Sequence, residues 1–233
     1  MITYRVLARL LGYPDEALVA SVSEMRRVLW ANEALSLEVR KGLGPLLAEL
    51  ESRDLLDLQA VYVGLFDRIR TLSLHLFEHV HGESRDRGQA MVELVKLYQR
   101  HGLDVTAKEL PDHLPLFLEF LSVVPAAEAR NLLAEASHII AAVGGRLAKR
   151  ESPYAGVFAA LAELAGQAVD QPTEVDEPDT ESPEAIDREW EEAAVAFGPE
   201  STPDNQTRDQ DCGRVAAMLE RMNVKPAAEA RRP

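Results

Sequence analysis

Residues 72–100, LSLHLFEHVHGESRDRGQAMVELVKLYQR, followed by residues 109–122, ELPDHLPLFLEFLS, decide how this chain reads. Two patterns meet in the first stretch. From residue 85 onward Met91, Leu94, Val95 and Tyr98 recur at three- and four-residue spacing, the period of a helix with one face inward. Ser84 is placed to cap that helix and Gly102 to close it. Ahead of it, His75, Glu78, His79 and His81 crowd into seven residues among leucines, a phenylalanine and a valine. Polar groups mixed in this way with apolar ones suit either a metal site or a groove that grips another polypeptide.

The helical period runs outward through residues 1–169, and no alternating strand pattern interrupts it. Tyr4 to Leu11 forms a first short helix that Gly12 ends. Pro14 suits the first turn of a second, which reaches about Asn32. Ser36 and Asp54 are placed to cap the next two. Leu55, Leu58, Tyr62, Leu65 and Phe66 share one face, with Tyr62 and Phe66 read as core. Pro111 opens another helix, close enough to Pro115 for that proline to be tolerated. A long helix starts at Pro125 and continues through Leu147, and a last one covers residues 154–169. The expected fold is all-α, a single helical bundle of about eight helices in residues 1–169.

Residues 170–233 differ in kind. From Asp170 to Asp211, 15 acidic residues stand against Arg188 and Arg208, a net of −13 out of −14 for the whole chain. QPTEVDEPDTESPE is proline-rich, acidic and nearly free of apolar residues, so a largely disordered acidic tail is expected. Within it, residues 182–199, SPEAIDREWEEAAVAFGP, carry Trp190, Val195 and Phe197, and GRVAAMLERM near the end reads as an amphipathic turn or two. These short helical segments either are residual hydrophobicity or dock on the body or on a partner.

A nearly neutral body offers no global attraction for nucleic acid, so none is expected as a partner. Arg5 and Arg9 interrupt the apolar start, which excludes a signal peptide core. No window approaches the roughly 20 apolar residues of a membrane span, so membrane insertion is not expected and the cytoplasm is the expected compartment. The single cysteine, Cys212, excludes a disulfide framework and a cysteine-rich metal site within one chain.

His75-Leu-Phe-Glu78-His79 matches the H-x-x-E-H pattern of inverted zinc metallopeptidases. On a helix His75 and His79 would share a face, with Glu78 beside them as a base. Nothing singles out a third ligand among Glu119, Glu128 and Glu135. The alternatives are hydrogen-bonded packing histidines, or a patch that titrates near neutrality and makes peptide binding pH-sensitive. Asp112 follows Pro111 at an expected helix start, where an acid is favourable. It either compensates the helix dipole or points into a groove to meet a cation, with Glu119 two turns down on roughly the same face. No glycine-rich phosphate loop, catalytic serine context or nucleophilic cysteine accompanies these residues, so they point away from an enzyme and from any resident cofactor.

The run from Leu72 to Asp104, then Glu109 to Ser122, resembles the NarJ-type assembly chaperones of respiratory nitrate reductase. The Leu-Gly-Tyr-Pro turn at residues 11–14, YVGLFD at residues 62–67 and WEEAAVAFGP at residues 190–199 are similar as well. Pro111-Asp112-His113-Leu114 is shared more loosely with the wider group of redox-enzyme maturation chaperones. The resemblance implies an all-helical, cytoplasmic, non-catalytic protein. It implies binding to the N-terminal segment of the apo catalytic subunit of nitrate reductase, holding it competent for molybdenum cofactor insertion and iron–sulfur loading before membrane docking. The proteins that deliver the cofactor are further implied partners, and a different molybdoenzyme is the alternative client. The client groove is placed beside His75, Glu78, His79, His81, Asp112, His113 and Glu119. On that reading Asp112→Asn or His79→Ala weakens client binding and leaves the melting temperature unchanged.

Overall fold

Side-chain oxygens start three of the early helices, and apolar spacing decides which face of each turns inward. In the computed structural model, which describes residues 1–81, 85–105 and 109–166, Asp15 accepts from the Leu18 amide at 2.7 Å to begin α2 (Glu16–Ala31). Ser36 accepts from Val39 at 3.2 Å to begin α3 (Leu37–Gly42), and Asp54 from Leu56 at 2.9 Å to begin α5 (Leu55–Tyr62). Pro14 therefore lies just outside α2 and not in its first turn, because Asp15 takes the capping position.

α1 (Ile2–Leu10) buries Tyr4, Leu7 and Leu10 and packs along α8 (Leu114–Val123) more extensively than any other helix pair does. α4 (Gly44–Ser52) closes against α2, and Arg26 pairs with Glu51 across that contact at 2.8 Å. After α5 the chain widens into a π-helical turn, Val63–Asp67, then a 3-10 turn, Arg70–Leu72. Tyr62 and Phe66 are core, as their spacing predicts: both rings are buried and meet Tyr154 edge-on, and the Tyr62 hydroxyl donates to the Leu11 carbonyl at 2.9 Å. Burial raises the pKa of that hydroxyl, which keeps it a donor.

α6 (Glu78–His81) is a single turn, and α7 (Arg85–Arg100) follows. α7 ends as its glycine implies. Gly102 has φ 73°, its amide reaches the Gln99 carbonyl at 2.9 Å, and the Leu103 amide reaches Tyr98 at 3.0 Å, the paired bonds of a Schellman cap. Ala90, Leu94, Leu97 and Tyr98 are its fully buried residues; Met91 and Val95 are half-buried, so the inward stripe is rotated slightly from the expected one.

The long helix expected from Pro125 to Leu147 is two helices, α9 (Ala126–Glu135) and α10 (Ser137–Lys149), with a corner at Ala136. No glycine or proline marks the break. It arises because α9 packs on α8 and α11 (Ala155–Leu164), whereas α10 also packs on the 3-10 turn. The helix expected at Pro111 begins instead at Leu114, with Pro115 in its first turn.

About eight expected helices thus become eleven shorter α-helical segments among the described residues, in one all-α bundle. One connected cluster of buried apolar residues runs from Tyr4 to Ala165. No helix among the described residues is long and apolar enough to cross a membrane. The whole 170–233 segment, including Trp190 and Cys212, lies outside the described residues.

Candidate functional site

The histidine segment is not a helix that presents His75 and His79 on one face. Residues 74–76 lie beside residues 112–114, and the two segments meet in an isolated antiparallel bridge at His75 and His113. The Leu114 amide donates to the Leu74 carbonyl at 2.8 Å and the Leu76 amide to the Asp112 carbonyl at 3.1 Å. This bridge ties the turn before α6 to the turn before α8. Tyr98 adds a third tie from α7, donating its hydroxyl to the Pro111 carbonyl at 2.8 Å.

Asp112 lies at the centre, with no exposed surface. Its Oδ1 is 3.2 Å from His75 Nδ1, and its Oδ2 accepts from the Phe77 amide at 3.1 Å. The Arg87 guanidinium sits 3.7 Å from Oδ2 and donates to Glu78 Oε1 at 3.1 Å. The buried carboxylate is thus met by a backbone donor, an imidazole and a guanidinium, the company a buried charge requires. The expectation that Asp112 points into a groove is corrected here. It precedes α8 instead of opening it, and its ligands are residues of the chain itself.

The three described imidazoles of the cluster differ in environment. The hydrogen bond to Asp112 outweighs burial at His75 and raises its pKa above the usual 6.5. Burial lowers His79, aided by the Arg146 charge and opposed by the Ser73 carbonyl. That carbonyl lies 2.8 Å from His79 Nε2, so the nitrogen carries a proton and donates. Burial, with the neighbouring His75, lowers His113; the two rings lie 5.1 Å apart and tilted by 36°. His75, Glu78, His79 and His113 are all half-buried, forming a mixed acid–imidazole surface held from beneath by Asp112 and Arg87. The side chain of His81 lies outside the described residues.

Glu119 belongs to another feature. It is exposed on α8 and lines a cleft of about 360 Å³ with Arg5, Leu103, Asp104, Leu116 and Val123. The structure therefore joins His75, Glu78, His79, Asp112 and His113 and sets Glu119 in a separate cleft.

Zinc-peptidase geometry is not formed. His75 Nδ1 faces Asp112, His79 Nε2 is bonded to a carbonyl, and only Glu78 and His79 of the motif are helical. Among the described residues no group of three histidine, cysteine or acidic side chains is arranged to hold a metal ion. Arg87 is the neighbour of the site that periodicity does not single out, whereas Tyr98 reads from sequence only as an inward-facing residue of its helix. Arg87 lies in the first turn of α7, and its ion pairs across the site place it there.

The nitrate reductase delta subunit family model matches residues 32–160. A nitrate reductase molybdenum cofactor assembly chaperone, NarJ of Escherichia coli K12, is 47% identical over 201 residues, covering 84% of this chain and 85% of that protein. A probable chaperone of the same kind from that strain, NarW, is 41% identical over 83% of this chain and 82% of its own length. The probable NarJ of Bacillus subtilis is 30% identical over 69% of this chain and 86% of its own. By the match over residues 32–160 and these identities, this chain belongs to the nitrate reductase delta subunit family, and the relatives NarJ and NarW are assembly chaperones.

Proposed function

We propose that this chain is a dedicated chaperone for respiratory nitrate reductase. It binds the N-terminal segment of the apo catalytic subunit in the cytoplasm. It holds that subunit open to molybdenum cofactor insertion and iron–sulfur loading, and it delays membrane docking until both are complete. The observation that carries this reading is the 47% identity to a nitrate reductase assembly chaperone across 84% of the chain.

The surface of His75, Glu78, His79 and His113 supports a peptide-binding role in physical terms. It pairs acceptors and switchable donors with apolar neighbours, the mixture that receives an amphipathic helix carrying basic residues. Asp112 acts there as a positioning residue, holding His75 and the Phe77 backbone. His81 and, from its separate cleft, Glu119 are the further residues proposed to meet the client.

Calorimetric titration with a peptide copying roughly the first fifteen residues of the nitrate reductase catalytic subunit tests the reading. Saturable binding near one to one is expected, with Kd about 1 μM or tighter, equivalent to about −8 kcal/mol. No heat of binding anywhere between about pH 6 and 8, a range chosen to span the imidazole titrations, would overturn the proposed client segment. Glu78→Gln is expected to weaken binding about tenfold by removing one charge-assisted contact.

A further inference from the structure

Arg87 breaks three local rules at once. It is a cation in the first turn of α7, the end at which the helix dipole disfavours positive charge. Buried Ala90, Leu94 and Leu97 continue from it at helical spacing, so it stands on the inward stripe, with 19% of its side chain exposed. Its Nε–H is buried with no acceptor among the described residues. A residue that breaks local rules without a local gain marks a place where a site is held. What Arg87 gains is a seat between two carboxylates, Glu78 Oε1 at 3.1 Å and Asp112 Oδ2 at 3.7 Å.

The two acids differ in freedom. Asp112 has no exposed surface and is fixed by the Phe77 amide and the His75 ring. Glu78 belongs to α6, a single turn too short to stand as a helix by itself. Arg87 is the one described side chain that bonds its carboxylate, and it does so through Oε1. Oε2 accepts no hydrogen bond from a described residue, and the side chain keeps 25% of its surface exposed. Two carboxylates against one guanidinium also leave a negative charge over whenever the His75 ring is neutral.

We propose that Arg87 is a positioning residue for client recognition, holding Glu78 by Oε1 so that Oε2 takes one guanidinium or ammonium group of the bound segment. The inference rests on the client reading given above. A carboxylate has acceptor sites enough to serve Arg87 and a client cation together. A glutamate that is already held has lost its rotamer freedom before the client arrives, so less is lost on binding. The planar fork of arginine suits a seat between two carboxylates better than the point charge of lysine.

The test is a double-mutant cycle in the full-length chain, read by calorimetry with the catalytic-subunit peptide. Arg87→Gln is expected to weaken binding about fivefold, the effect of one more side chain to immobilise. Glu78→Gln is expected to weaken it about tenfold, and the double variant no more than Glu78→Gln alone, because Arg87 acts through Glu78. Replacing the cations of the peptide by glutamine one at a time is expected to find one whose loss removes the effect of Glu78→Gln. If Arg87→Gln does not fold, Arg87→Lys replaces it, with a loss of about threefold and the same dependence on Glu78. Losses that multiply to about fiftyfold, affinity unchanged in the Arg87 variants, or no such cation in the peptide would each overturn this inference alone. No binding by the unaltered chain would overturn it together with the client reading.

Discussion

Asp112 has no exposed surface, yet it is a charged side chain facing His75, the Phe77 amide and Arg87. Removing it leaves the Phe77 amide without its acceptor and the half-buried Arg87 guanidinium with one carboxylate, Glu78, in place of two. Asp112→Ala is therefore expected to cost about 3 kcal/mol, the range for breaking a buried pair from one side, read by chemical denaturation. Asp112→Asn should cost part of that, contrary to the surface role read from sequence. Glu119→Gln, on an exposed helix position, should change stability by less than about 0.5 kcal/mol. The imidazoles give a second residue-level prediction. The fold favours protonated His75, so its contribution is complete below the ordinary value of 6.5 and is lost as pH rises through the raised folded value. For His79 and His113 the fold favours the neutral ring, so stability is lost as pH falls from 6.5 through their lowered values. Proton NMR titration should place the His75 midpoint above 6.5 and those of His79 and His113 below it. The reverse order would refute the hydrogen-bond assignment of the site. Likewise, His79→Gln should flatten the loss of stability as pH falls below the ordinary value of 6.5.

Among the elements, what was legible depended on whether the cause was local. Caps at Ser36 and Asp54, the Gly102 stop and the buried Tyr62–Phe66 face all follow from neighbours within a turn or two. The corner at Ala136 and the bridge between His75 and His113 do not, because each is set by contacts with segments far away in sequence. His75, Glu78 and His79 were legible as members of a polar cluster, but Arg87 and the burial of Asp112 were not, since both depend on contacts between segments far apart in sequence. Gly156 shows a tertiary demand of the same sort. A Cβ there would sit 2.3 Å from the Gly42 carbonyl oxygen, backbone that cannot swing aside, so α11 approaches α3 only because residue 156 is glycine. Gly156→Ala is expected to destabilise by about 2 kcal/mol through forced separation of these helices. Gly145→Ala, one helix earlier and with nothing within 4 Å of its Cβ, should instead stabilise by about 0.5–1 kcal/mol through helix propensity. Thermal melts of the two variants in opposite directions would verify the packing; parallel shifts would refute it.

At the scale of the whole molecule, the connected core of the described residues extends to Ala165, and charge is divided unevenly along the sequence. Residues 170–233 carry 17 acidic against seven basic side chains, so −10 of the net −14 lies there and −4 on the remainder. We propose a domain boundary near residue 169, where the helical period of the sequence ends and the acidic excess begins. A chain ended there should unfold in one cooperative transition, with free energy within about 1 kcal/mol of the full-length value and an unchanged denaturant slope, because no core surface is newly exposed. A broadened transition would instead mean that residues beyond 169 complete the core.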